Sequence, residues 1–234
     1  MRTAIVIGAI IVMALTAFFG AGKDDHPAKA SGLPKPQVDL AADQNVKPGE
    51  THEAVFAGGC FWCIEGVFRQ INGVNEVVSG YAGGSKETAQ YETVCTGATG
   101  HAESIRIKYD PSKITYGELL RIFFTVHDPT TKNRQGPDRG TQYRSVVFYL
   151  NDDQKKVAQA YIQQLDKTGI FPDPIVTTLE PLTPETFYPA EDYHQNYVAC
   201  HLGNPYVRFH ALPIVQKARE EFKDQLKPEP TTKP

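Results

Sequence analysis

This chain has little net charge with which to grip a partner: 24 Lys and Arg stand against 27 Asp and Glu, a formal net of -3. Without a positive field, binding of nucleic acid or another polyanion is disfavoured. No internal repeat is visible. Cysteine is scarce, with four at positions 60, 63, 95 and 200. None of them closely follows the apolar N-terminal run, which excludes a lipid-modified N-terminal cysteine. A zinc site is also disfavoured: beside Cys60 and Cys63 the only compact pair is Cys200-His201, which lacks the spacing of a second zinc knuckle. No metal is expected. The chain is long enough to bury a core without disulfide staples, and a Cys60–Cys63 bridge would close a loop too small to constrain the unfolded chain much.

At the N-terminus, Arg2 is followed by apolar and small residues from Ala4 to Gly22, with no charge until Lys23. That is the pattern of an export signal, and Gly20-Ala21-Gly22 offers a small-residue cleavage site. The run is also nearly long enough to span a bilayer. Residues 1–22 are therefore expected to be a signal peptide or an N-terminal membrane anchor. The protein is expected to be exported, either periplasmic or anchored facing the periplasm. Residues 23–50, rich in Lys, Asp, Ala, Pro and Gln without periodicity, are expected to form a disordered linker. Residues 51–226 should form one domain. Residues 227–234 (KPEPTTKP), with three prolines, should be a disordered tail. An apolar fraction of 41% and a charged fraction of 22% suit a soluble globular protein.

Within the domain, Glu53–Ala57 is a short apolar run stopped by Gly58-Gly59. Helical periodicity then sets in, with apolar residues at 61, 64, 67, 68 and 71. Strand, glycine turn and helix thus frame Cys60, placing its thiol at a helix N-terminus, where unpaired N–H groups favour an anion and would stabilise a thiolate. Val74–Tyr81 and Ser104–Asp110 read as strands. Thr115 with Glu118 is a capping signature for a helix ending near His127-Asp128-Pro129. Tyr143–Leu150 reads as a strand, Asn151 or Asp152 caps a helix through about Lys167, and Ile175–Leu182 is a further strand. This alternation predicts an α/β (α+β) two-layer sandwich, a mixed β-sheet with helices packed on one face, and excludes an all-β or bundle fold.

Cys60 has two glycines before it, which would let the backbone approach a ligand, and Phe61 and Trp62 after it as apolar walls. A C-x-x-C pair at a helix start serves zinc ligation, thiol–disulfide exchange, or a nucleophile with a resolving partner. Exchange alone needs no oxygen-activating groups.

Several blocks follow one another along the chain: Gly-Gly-Cys-Phe-Trp (58–62), Gly-Tyr-Ala-Gly-Gly (80–84), Tyr91 with Val94-Cys95-Thr96-Gly97, and Thr99-Gly100-His101-Ala102-Glu103. After these come Asp110-Pro111, His127-Asp128-Pro129, Gly140-Thr141-Gln142-Tyr143-Arg144-Ser145 and Ala190-Glu191-Asp192-Tyr193-His194-Gln195. In this order, over about residues 54–206, they resemble peptide methionine sulfoxide reductase, type A. The resemblance implies a ferredoxin-like core with an extended irregular C-terminal region. It implies reduction of the S epimer of methionine sulfoxide, free or in polypeptides, through a sulfenic acid on the cysteine.

Carried over, Cys60 is the nucleophile, Glu103 the acid near the sulfoxide oxygen, and Tyr91 and Tyr143 its hydroxyl partners. Asp138 matches the acidic residue near that tyrosine, although a turn role explains it more simply. Phe61 and Trp62 match the pocket for the substrate's methyl group. His194 and Asp192 fall in a block near the site, where a structural role is at least as good an account. A sulfoxide sulfur becomes electrophilic only when its oxygen is protonated or strongly hydrogen-bonded, so a buried, neutral Glu103 is what the chemistry asks for. The resolving thiol is expected to be Cys63. Cys200 is the only C-terminal substitute, because no cysteine follows Asn204-Pro205-Tyr206, and burial in a helix is favoured for it. Cys95 is expected to be structural. No bound cofactor is expected. An external thioredoxin-like dithiol would serve as reductant, and a monomer is expected.

Overall fold

The computed structural model describes residues 32–40 and 50–228. β1 (His52–Gly58) is the centre of a sheet, paired antiparallel with two neighbours. Its run of apolar residues reflects burial on both faces: Ala54 and Phe56 point to the larger core, Val55 and Ala57 to the smaller. α1 (Phe61–Phe68) leads to β2 (Val74–Ala82), the one-turn α2 (Tyr91–Val94) and β3 (Ala102–Tyr109). α3 (Tyr116–Val126) follows, then the small hairpin of β4 (Arg134–Gln135) and β5 (Asp138–Arg139). β6 (Ser145–Tyr149), α4 (Asp152–Thr168), β7 (Thr178–Pro181) and β8 (Tyr188–Pro189) complete the sheet, and α5 (Tyr197–Cys200) and α6 (Leu212–Glu221) close the chain.

The main sheet runs β7-β6-β1-β3-β2-β8, with β6 and β7 parallel and the other pairs antiparallel. Its central order β6-β1-β3-β2, with α1 between β1 and β2 and α3 between β3 and β6, is the ferredoxin-like split βαβ arrangement. Residues of α1, α3, α4 and α6 form the large core on one face, whereas Leu182 and Phe187 from loops cover the other. The sandwich therefore has two layers. Thr115 and Asn151 cap α3 and α4 as their side-chain chemistry requires, accepting from the N–H of Glu118 and Gln154.

The structure differs from the sequence reading in three places. Tyr143 belongs to a 3-10 turn, Thr141–Tyr143, and the strand begins only at Ser145. Gly140, at φ 137°, starts that turn, and the Tyr143 N–H closes it onto the Gly140 carbonyl. Likewise β7 begins at Thr178 rather than Ile175, because the preceding Val176 N–H is taken by Pro129 instead of a strand partner.

The third difference is the stretch read as a disordered linker. Within it, residues 32–40 are docked on the domain, and Leu33 is buried in the large core. Asp39 accepts the Gly117 N–H at 2.7 Å and the Thr115 hydroxyl at 2.5 Å, so a carboxylate doubles the cap of α3. Tyr161 donates its hydroxyl to Pro34 O and Gln164 its amide to Lys35 O. Composition alone hid this because one leucine and one aspartate carry the attachment. Lys227, first residue of the expected tail, donates its N–H to Gln70 O. The expected signal or anchor at 1–22 and the rest of the tail from 229 lie outside the described residues.

Candidate active site

β1 ends at Gly58 directly before the α1 N-terminus, with Cys60 as the N-cap residue, 7% exposed. The expected role for the free helix N–H groups is not what the structure shows. The Phe61 N–H donates to Glu103 Oε2 at 3.1 Å, and the Cys63 N–H to Cys60 O. Burial pushes the Cys60 thiol well above its ordinary range, and Cys63, Glu103 and Asp138 add to the rise. The resting group is thus a thiol and not a stabilised thiolate, because burial outweighs what the helix N-terminus offers and the first helix donor is committed to the carboxyl.

Glu103 sits beside it by strand alternation. Continuing the face of Ile105 and Ile107 back by two residues turns Glu103 toward the helical layer, at the level where α1 begins. It is 2% exposed, and burial pushes its carboxyl up to about 8, against the opposing pull of the Phe61 N–H. The negative charge of Asp138 acts in the same direction as burial. At neutral pH the group carries its proton.

Tyr91 opens α2 and is fixed by its N–H to Glu191 Oε1 at 3.0 Å and by its ring, 4.5 Å from His194. Tyr143 arrives from the 3-10 turn. Burial raises both phenols, and each also feels Cys60 and Glu103, so both stay protonated donors. Asp138 comes from the β4–β5 hairpin. Burial raises its carboxyl, while the Tyr206 hydroxyl, donating at 2.6 Å, pulls it back. The fold therefore gathers Cys60, Glu103, Tyr91, Tyr143 and Asp138 into one electrostatic neighbourhood from five separate segments.

The aromatic pair is placed less simply than expected. Phe61 is 1% exposed, packed against Tyr81 and His194, so it backs the site from within the core and forms no open wall. Trp62 is half-buried, stacked on Tyr197 with centroids 3.8 Å apart, and donates Nε1–H to His194 Nδ1 at 3.1 Å. That bond leaves His194 a neutral imidazole with its proton on Nε2, a scaffold role, while Asp192 is exposed nearby. Gly58 lines the cavity beside the thiols, and both glycines also meet a packing demand. A Cβ on Gly58 would lie 2.8 Å from Phe123, and one on Gly59, at φ 91°, would overlap Gln135. They are required by the protein's own packing.

Cys63 is buried, close enough to the Cys60 thiol to raise its pKa, with its sulfur 3.9 Å from the Tyr206 hydroxyl. Cys200 is exposed, contrary to the burial expected for it: α5 has only one turn and buries Val198 alone, and the Cys200 sulfur meets the Asn196 amide at 3.9 Å. Cys95 is exposed as well, its thiol against the Tyr91 hydroxyl. All four are free thiols. A cavity of about 300 Å³ opens beside the pair, lined by Cys60, Cys63, Asp138, Tyr206, Phe209 and Pro213 among others. Tyr206, Glu191 and Tyr197 are site residues that sequence reasoning missed. The Asn204-Pro205-Tyr206 block carried a signal for the first and the Ala190–Gln195 block for the second.

A family model described as peptide methionine sulfoxide reductase matches residues 52–226. Over 181 residues the chain is 55% identical to a peptide methionine sulfoxide reductase of Mesorhizobium japonicum, covering 77% of this chain and 91% of that one. Among solved structures it is similar to Mxr1 from Saccharomyces cerevisiae in reduced form, with TM-score 0.59 and 37% identity, over 68% of this chain and 91% of that one. It is also similar to methionine sulfoxide reductase A of Corynebacterium diphtheriae, with TM-score 0.58 and 33% identity, over 76% of this chain and 85% of that one.

Proposed function

The chain belongs to the peptide methionine sulfoxide reductase family of oxidoreductases, and from that premise we propose that Cys60 reduces methionine-S-sulfoxide, free and in polypeptides, by taking its oxygen as a sulfenic acid. The observation that carries this reading is the neutral carboxyl of Glu103, buried beside the thiol. Glu103 gives its proton to the sulfoxide oxygen, while Tyr91 and Tyr143 donate hydrogen bonds to it and relieve the charge that builds as the S–O bond weakens. The Cys60 sulfur attacks and takes the oxygen, and the Cys60 proton returns to Glu103. Methionine leaves, and Cys60 holds S–OH. Trp62, backed by Phe61, supplies the apolar wall for the substrate's methyl group. Asp138 adjusts the field on Glu103 and Tyr143.

Cys63 then attacks the sulfenic acid, forming the Cys60–Cys63 disulfide with loss of water, and an external thioredoxin-like dithiol reduces that bridge. The buried contact between the two thiols supports Cys63 in this role, and the exposed Cys200, bonded elsewhere, argues against the alternative. The apolar N-terminus supports a role in repair of exported proteins, periplasmic or membrane-anchored, and the enzyme is taken to act as a monomer. A general thiol–disulfide carrier is disfavoured, since exchange has no use for the buried neutral carboxyl of Glu103 or for the phenols of Tyr91 and Tyr143.

Incubation with methionine-S-sulfoxide and dithiothreitol tests the reading. Free methionine accumulates with the native protein and not with Cys60→Ala. Methionine production at the native rate by Cys60→Ala would refute it.

A further inference from the structure

Tyr206 has no part in the oxygen-transfer step, yet it is the best-anchored phenol in the site. Its O–H donates to Asp138 Oδ2 at 2.6 Å, which leaves its oxygen free to accept from the Cys63 S–H, 3.9 Å away. Its own N–H is received by Asn204 Oδ1 at 2.8 Å, and its ring stands edge-on to Trp62 at 76°. Directly after it the chain makes a π-helical turn, Val207–Ala211, before α6. Such wide turns are frequent at functional sites. This one brings Tyr206, Phe209, His210 and Pro213 together on the cavity shared by both thiols. Cys63, Tyr206 and Asp138 thus form a line of donors from a buried sulfur to a carboxyl at the edge of an open cavity.

We propose that Tyr206 is the proton relay of the resolving step, passing the Cys63 proton to Asp138 as Cys63 attacks the Cys60 sulfenic acid. This rests on the reading that Cys63 is the resolving thiol. In the step, the Cys63 S–H proton moves to Tyr206 Oη while the Tyr206 proton moves to the Asp138 carboxylate. The Cys60–Cys63 bond forms and the Cys60 S–O bond breaks. The departing hydroxide takes the Glu103 proton and leaves as water. Asp138 has then gained the proton that Glu103 lost, and solvent in the cavity re-equilibrates the two. The other titratable groups facing the relay are Cys60, Glu103, Tyr143 and His210.

The test is a single turnover on methionine-S-sulfoxide without reductant, quenched at intervals, with methionine and the mapped disulfide counted in the same samples. Tyr206→Phe keeps the ring and loses the relay. At pH 7 its disulfide formation, relative to methionine release, slows by about 100-fold, the usual range for a lost proton-transfer group. The deficit narrows as pH is raised, because hydroxide from the solvent-filled cavity then takes up the proton in place of the relay. Asp138→Asn reproduces the slowed ratio. An unchanged ratio in Tyr206→Phe overturns the relay, as does a slowing equal at every pH, which marks a packing defect. Cys63→Ser separates the premise: continued disulfide formation at the native pace would overturn the assignment of the resolving thiol, whereas an accumulated sulfenic acid upholds it whatever Tyr206→Phe does.

Discussion

Replacing Glu103 by Gln should make the protein a poorer enzyme and a more stable one, with both effects arising from the same buried proton. The amide keeps the shape and still accepts the Phe61 N–H, but has no acidic proton to give the sulfoxide oxygen. Loss of a general acid costs about 10²–10⁴-fold in rate, or roughly 3–5 kcal/mol of transition-state stabilisation. For stability the sign follows from linkage. The folded carboxyl titrates at about 8 and its ordinary value is 4.5, so between these limits the native state holds a proton that the unfolded chain has lost. Stability therefore falls as pH rises from 4.5 to 8, by about 3 kcal/mol at pH 7 and about 5 kcal/mol above pH 8, as upper limits. Gln escapes that penalty. Thermal unfolding should show Tm values close together at pH 4 and a variant advantage of about 5–10 °C by pH 7. Methionine release by the native enzyme should decline above about pH 8 as the carboxyl ionises. The reasoning fails if Glu103→Gln turns over at the native rate, or if its Tm advantage does not grow with pH.

Asp39→Ala removes the carboxylate that caps α3 from the N-terminal segment. It should cost about 1–2 kcal/mol in urea unfolding, and a midpoint equal to that of the native protein would show the docking to be energetically idle. His127 is buried and neutral, donating Nδ1–H to Phe123 O and accepting from Ser145 through Nε2, and burial pushes it down to about 4. Its folded value lies below its ordinary 6.5, so its contribution is present above pH 6.5 and is lost as pH falls toward 4, by up to about 3 kcal/mol. His127→Asn should be less stable at pH 7 and show a flatter loss of stability between pH 6.5 and 4. An unaltered slope would exclude His127 as the acid-sensitive group.

Local sequence was enough where a residue's own chemistry settles its conformation. Thr115 and Asn151 mark helix starts because their side chains replace the missing helical partners of Glu118 and Gln154. β1 and α1 are legible because the shift from a buried apolar run to 3.6-residue periodicity occurs at Gly58-Gly59. The residues that the fold gathers around Cys60 stand in blocks visible in the sequence, such as Gly-Gly-Cys-Phe-Trp and His-Ala-Glu. Less legible were the strand starts near Tyr143 and Ile175, since pairing, and not β-propensity, decides where a ladder begins.

The sequence by itself determined the order of elements, the two-layer mixed sheet and the chemical types gathered at Cys60, because periodicity, caps and motifs are local properties. Tertiary structure decided the protonation of those groups. Desolvation depends on what surrounds a side chain, so the Cys60 thiol stays protonated despite its helix N-terminus, and Glu103 stays neutral in spite of being a glutamate. It also decided that Leu33 and Asp39 belong to the fold, that Cys200 is exposed, and that Tyr206, 143 residues from Cys63, lies against its sulfur. Each of these rests on a contact between distant segments, which no local pattern encodes.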